Sequence, residues 1–220
     1  MAGGKVDEKN RIVYNIGIFS FLGARMQTLE SYIREKGKVY PGNILKVDSF
    51  LNHQIEPSVI RAMAKEIRRL FADCPVTKVL TIEASGIAIA ILVAEEFGVP
   101  MLFAKKSHSA NLSPDVYSTK VTSYTHGTVY DVRVAKDFLR ADDHVLLVDD
   151  FLANGAALLG LADLVRQAGA TLSGAAIAIE KGFQQGGQIV REAGIRLESL
   201  AIVDSMQDGN ITFREQPHQS

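Results

Sequence analysis

Val145-Leu146-Leu147-Val148-Asp149-Asp150-Phe151-Leu152-Ala153-Asn154-Gly155-Ala156-Ala157 is the stretch on which the fold turns. Its unbroken apolar opening reads as a fully buried strand, and two adjacent carboxylates are expected to end it. A short loop containing Gly155 then leads into a helical pattern over residues 158–166. A strand–loop–helix junction aims free backbone N–H groups and the positive end of a helix dipole at one point, which suits a phosphate. Carboxylates at the strand end suit sugar hydroxyls or a hydrated metal ion, which prefers oxygen ligands. Together these features point to a phosphorylated ribose. Asp-Asp capping a bare α/β turn gives the same letters, so the rest of the chain must decide.

Working outward, strand and helix patterns alternate without repeats or low-complexity linkers. Helices are predicted over residues 27–35, 57–71, 86–97 and 188–193, and strands over 77–82, 100–104, 174–179, 195–203 and 210–213. Lys36-Gly37 is a helix stop, and Pro57 opens its helix where a missing N–H does no harm. Residues 116–124 and 128–134 alternate around Thr125-His126-Gly127 and read as a hairpin. Strands separated by helices imply an α/β fold with a mostly parallel central sheet, flanked by helices, and ligands at the strands' carboxyl ends.

Two further polar segments occupy such ends. In Glu83-Ala84-Ser85-Gly86, small residues allow close backbone approach and leave N–H groups for an anion, although Ser85 could simply cap a helix. Lys105 and Lys106, followed by Ser107-His108-Ser109, could neutralise a departing anion or merely form a solvated face. His108 could transfer a proton, but a lone histidine is more often inert. The histidine spacings do not predict zinc.

Composition sets limits. At 220 residues the chain fits one domain with appendages, against ~100–200 for most domains. A formal net charge of −1 gives no electrostatic case for nucleic acid or an anionic membrane. Cys74 is the single cysteine, which excludes an intrachain disulfide and a cysteine-cluster metal site and agrees with a reducing, cytoplasmic setting. The apolar run at 12–22 is broken by Tyr14, Asn15 and two glycines, so neither a membrane span nor a signal peptide is expected there.

The run at 145–157 resembles the phosphoribosyl-pyrophosphate (PRPP) signature of the type I phosphoribosyltransferases: apolar strand, two acids, two apolar residues, small phosphate loop. Many members end that loop with Thr-Gly and a further Thr. Asn154 and Ala157 stand in those places here, so no hydroxyl contact comes from them. The Ala-Asn-Gly-X-Ala form is similar to the bacterial xanthine phosphoribosyltransferases. Residues 44–54 are similar, nearly residue for residue, to the segment by which that subgroup's small hood covers its substrate. The resemblance runs from Met26 almost to the C-terminus, with four segments in family order. It implies the type I phosphoribosyltransferase fold over residues 26–220, with a hood over about 26–56 plus the C-terminal part and a core over about 57–190. Residues 1–25 read as an extension of uncertain status.

The resemblance also implies roles. Asp149 and Asp150 would face the ribose hydroxyls or waters on Mg²⁺ brought with PRPP. Ala153, Asn154, Gly155, Ala156 and Ala157 would hold the 5′-phosphate. Glu83, Ala84, Ser85 and Gly86 would form the pyrophosphate loop, and Lys105 and Lys106 would begin a mobile loop. Leu45, Asn52 and Lys181 would contact xanthine, and Phe183 would either stack on the ring or only pack. The chemistry makes these base contacts sensible, since an amide both donates and accepts, while a lysine favours a carbonyl over an amino group. The subgroup using hypoxanthine and guanine has an aspartate where Ala153 stands, so no general base is assigned. The family usually forms homodimers, and the hairpin with Tyr117, Tyr124 and Tyr130 is the expected interface. A PRPP-sensing purine regulator is the rival reading. Residues 1–25 are too few for its DNA-binding domain, and the near-neutral charge counts against it. Adenine or orotate as acceptor is a further rival, and Lys181 opposes adenine.

Overall fold

The computed structural model describes residues 27–107, 115–122, 129–207 and 210–216. The expectations for residues 1–25, for His108, for the hairpin turn at 125–127 and for the turn at 208–209 lie outside the described residues. The chain opens with α1 (Gln27–Lys36), a hairpin of β1 (Lys38–Tyr40) and β2 (Ile44–Lys46), and a π-helical turn at Asp48–Asn52. There follow α2 (Pro57–Leu70), β3 (Lys78–Ile82), α3 (Gly86–Phe97) and β4 (Met101–Ser107). Then come the antiparallel pair β5 (Val116–Thr122) and β6 (Val129–Ala135), β7 (His144–Leu152), α4 (Ala156–Gln167) and β8 (Thr171–Lys181). The last elements are α5 (Gly186–Glu192), β9 (Leu197–Gln207) and β10 (Asn210–Phe213).

Eight strands form the main sheet in the order β10-β9-β8-β7-β3-β4-β6-β5. The run from β9 to β4 is parallel, while β10, β6 and β5 add antiparallel edges. From β3 the chain passes through α3 to β4 on one side, and from β7 through α4 to β8 on the other. The order therefore reverses between β3 and β7, and a crevice opens at their carboxyl ends.

Each sheet face has its own apolar layer. On one, α2 places Val59, Ile60, Met63, Ile67 and Leu70 along a single stripe, at the spacing of an amphipathic helix. That layer also holds α3 and Leu29, Ile33, Leu45, Val47, Phe50 and Leu51 from the segment before α2, so that segment shares the domain's core. On the other, α4 packs through Leu158, Leu161, Leu164 and Val165, with Val121, Val132 and Val134 of the hairpin. Val145 to Val148 are fully buried, and burying one such side chain contributes about 1.5–3 kcal/mol, which makes β7 a rigid platform. The C-terminal strand packs on α1, because Arg34 donates to the Ile211 carbonyl at 2.9 Å and lies over the Phe213 ring.

Several expectations need correction. The carboxylates do not end β7. Asp149 and Asp150 lie inside it, because pairing with β8 continues past them to Leu152↔Glu180. Strand β4 outruns its apolar stretch because β6 pairs alongside it, Lys105 opposite Arg133 and Lys106 opposite Val132. The two lysines are thus strand residues and not the start of a loop. Helix α4 begins at Ala156, two residues early, so Ala156 and Ala157 form its first turn. The β1–β2 hairpin and the π-helical turn were not expected, since three-residue strands carry too little pattern to read. Among the described residues no helix is long and apolar enough to cross a membrane.

Candidate active site

The crevice is built from the ends of β3 and β7. After β7 the chain turns through Ala153, Asn154 and Gly155, with Gly155 in the left-handed region at φ 83°, a conformation nearly free of strain only for glycine. Asn154 Oδ1 accepts the Ala156 N–H at 3.1 Å, a side-chain bond that shapes the loop. The loop borders a cavity of about 180 Å³ that Asp149 and Phe151 enter from the strand and Val121 and Tyr130 close from the hairpin. Tyr117 and Tyr130 are half-buried against the α4 layer, so part of their aromatic surface serves the fold.

Asp149 and Asp150 are 6% and 7% exposed, and the Asp150 N–H donates to Asp149 Oδ1 at 3.0 Å. Burial, and then the neighbouring Asp150 charge, push the Asp149 carboxyl well above its ordinary range. Lys106 acts in the opposite direction on Asp149, and its ammonium lies 5.3 Å from the Tyr130 ring centroid. Burial and the Asp149 charge likewise raise the Tyr130 phenol. A buried acid pair of this kind is poised for cations or hydroxyl donors.

At the end of β3, Glu83 is held at both ends: its N–H donates to the Ala104 carbonyl and its carboxylate accepts the Lys106 N–H at 2.6 Å. Its side chain therefore braces β4. Ser85 makes no side-chain cap to α3, so capping does not explain it. Gly86 is sterically required, since a Cβ there would overlap Thr81 Oγ1 and stand 2.8 Å from Asp149 Oδ1. The Thr81 hydroxyl is fully buried without a hydrogen-bond partner, a feature that sequence reading missed because a threonine in an apolar strand looks ordinary.

The three proposed base contacts come from separate elements. Leu45 is buried in β2, and Asn52 ends the π-helical turn with its Oδ1 buried and unpaired. The residue flanking α2 is Glu56, so Asn52 is not that helix's cap. Lys181 ends β8 half-buried, and burial lowers its ammonium's pKa. It donates to the Asn43 carbonyl at 3.3 Å across 138 positions, tying the hood tip to the core. Asn43 presents that carbonyl from the left-handed region at φ 58°, which asparagine tolerates. Phe183 packs against the larger apolar layer.

Residues 46–211 match the phosphoribosyl transferase domain family, and the chain belongs to that family. Among its relatives, a xanthine phosphoribosyltransferase from Lachnoclostridium phytofermentans is 57% identical over 191 residues, 86% of this chain and 98% of the relative. Another of that name, from Ruminiclostridium cellulolyticum, is 50% identical over 190 residues, covering 86% and 100%. The fold is shared with the adenine phosphoribosyltransferase of Rhodothermus marinus, at a TM-score of 0.65 and 19% identity over 80% of this chain and 99% of that one.

Proposed function

We propose that the chain is a xanthine phosphoribosyltransferase, transferring 5-phosphoribosyl from PRPP to N9 of xanthine to give xanthosine monophosphate and pyrophosphate in purine salvage. One observation carries this reading: 57% identity to a curated enzyme of that name across 98% of its length. The buried, unpaired Asn52 Oδ1 supports it, because an acceptor without a partner in the free protein suits a purine N–H.

In this reading the bond from C1′ to pyrophosphate breaks as the bond to N9 forms, and the purine gives up one proton. The ribose carbon becomes cation-like, so no protein nucleophile is needed, and positioning and charge stabilisation supply the catalysis. Backbone N–H groups at the start of α4 and the loop Ala153–Gly155 hold the 5′-phosphate. Asp149 and Asp150 accept from the ribose hydroxyls and stabilise positive charge near C1′. Gly86 and its neighbours receive pyrophosphate, and Lys106 offsets its charge. Lys181 donates to a purine carbonyl, which disfavours the amino group of adenine.

Among the described residues no group of three or more His, Cys, Asp or Glu is placed to hold a metal. The buried Asp149–Asp150 pair nonetheless fits a divalent cation that arrives with PRPP, because burial and the neighbouring Asp150 charge both disfavour the Asp149 carboxylate and a cation would offset both. Mg²⁺ there would be held through Asp149 and Asp150 and would neutralise pyrophosphate charge. We assign a homodimer and a cytoplasmic location on the family's habit, with neither nucleic acid nor membrane as partner.

Purified protein supplied with PRPP, Mg²⁺ and single bases tests the assignment. Xanthine should be consumed with release of pyrophosphate, far faster than adenine. Turnover of adenine in preference to xanthine, or of no base at all, would refute it.

A further inference from the structure

Two adjacent glycines open α5, and each is pressed against a different part of the site. A Cβ on Gly186 would overlap the Ala153 carbonyl oxygen and stand 2.7 Å from the Gly155 nitrogen, both backbone atoms of the phosphate loop. The Gly186 N–H donates to that Ala153 oxygen at 3.1 Å. A Cβ on Gly187 would overlap Glu180 Oε1 and stand 2.7 Å from Arg191 Nη1. Glu180 directly precedes Lys181 and is 2% exposed. Arg191 grips it through two bonds of 2.9 Å, and the Ser199 hydroxyl donates to it as well. Burial raises the Glu180 carboxyl, but the Arg191 fork and Ser199 outweigh it and leave the group lowered and ionised.

Neither glycine is among those with a positive φ, so backbone freedom does not explain them. Close approach does. The loop beside Gly186 is backbone and can move only as a unit, whereas Glu180 beside Gly187 is a side chain locked in an ion pair at the end of β8. Val190 of the same helix sits beneath Gly155, its Cγ2 3.3 Å from where a Gly155 Cβ would stand. One short helix thus touches the phosphate loop on one side and the anchor of the base-binding strand on the other.

We propose that the Gly186-Gly187 step registers the two substrate subsites against each other, Gly186 positioning the phosphate loop and Gly187, through Glu180, positioning Lys181. This rests on the functional reading given above for the loop and for Lys181. It adds a division of labour between neighbouring residues.

Initial-rate kinetics on Gly186→Ala and Gly187→Ala, with thermal denaturation to confirm folding, test it through a crossed pattern. Gly186→Ala should raise the KM for PRPP by about tenfold or more, since a misplacement of roughly 1 Å can cost about 100-fold, with little change for xanthine. Gly187→Ala should raise the KM for xanthine on a similar scale and spare PRPP. If either variant does not fold, Val190→Ala replaces Gly186→Ala and Arg191→Lys replaces Gly187→Ala, with the same directions expected. The unaltered enzyme separates the two levels: failure to use xanthine there removes the functional reading and this inference with it. If the unaltered enzyme works and both KM values rise together, or only kcat falls, this inference alone is overturned.

Discussion

Replacing Asn52 by leucine should make the free protein more stable and the enzyme worse. Asn52 Oδ1 is buried without a partner, in a turn whose neighbours Phe50 and Leu51 are fully buried. An unsatisfied buried acceptor costs about 1–3 kcal/mol. Leucine keeps the branching at Cγ and removes that cost without opening a cavity, its larger methyl groups drawing on the exposed part of the site, whereas alanine would add a cavity term of opposite sign. In a domain of this size each kcal/mol moves Tm by about 2–4 °C. Ligand-free Asn52→Leu should therefore melt several degrees above the parent.

The same change leaves a polar edge of xanthine facing hydrocarbon. Loss of that bond costs about 1–3 kcal/mol, which corresponds to roughly 10- to 100-fold in the KM for xanthine. The KM for PRPP should hold, because the loop after β7 is built from other elements. Differential scanning calorimetry without ligand and initial rates with each substrate varied give both readouts. A lower Tm together with an unchanged KM for xanthine would show that Asn52 is structural and refute the reasoning.

Asp149→Asn combined with Asp150→Asn should leave the fold intact by circular dichroism and lose most turnover, since amide donors would replace acceptors facing ribose; near-normal activity in the folded variant would sink that role. The Lys78–Asp143 pair, at 2.7 Å with both side chains largely buried, predicts a pH signature. Burial raises Asp143, but the Lys78 bond and the Arg140 N–H prevail and leave its pKa below the ordinary 3.8. A depressed carboxylate gives stability that is present above its unfolded value and lost as pH falls through its folded value. Lys78→Met should thus cost about 1.5–3 kcal/mol near neutral pH, with the gap to the parent closing in strong acid; a constant gap across pH would contradict this. A chain begun at Met26 should fold, sediment as a dimer and keep full activity, and an active monomer would count against the dimer assignment.

How much of this was legible in the sequence depended on how local each feature is. The phosphate loop needs only a buried strand, a left-handed glycine and a helix start, and residues 145–157 contain all three. The boundaries slipped where tertiary pairing extends an element beyond its own pattern, as when β8 carries β7 through two carboxylates and β6 holds two lysines in β4. The proposed base contacts could be read only through resemblance. Leu45, Asn52 and Lys181 are far apart in sequence, and the bond from Lys181 to Asn43, two residues before Leu45, spans 138 positions. The Thr81 hydroxyl and the Gly186-Gly187 step were invisible for the same reason, since their meaning lies in what stands opposite them.

The buried polar groups of the site share a physical character that explains their placement. Asn52 Oδ1 and Thr81 Oγ1 lack partners, and Asp149 is buried beside another acid. Each is unfavourable in the free protein, and each is an oxygen able to accept a hydrogen bond or meet positive charge. By contrast Glu180, 2% exposed, is compensated by Arg191 and Ser199. The difference separates a buried polar group that holds the structure from those the proposed function assigns to a ligand. If substrate meets these groups as proposed, binding relieves them, and part of the binding free energy is stored in the fold as unsatisfied acceptors. Two apolar layers packed against a rigid β7 are what let the domain tolerate that arrangement.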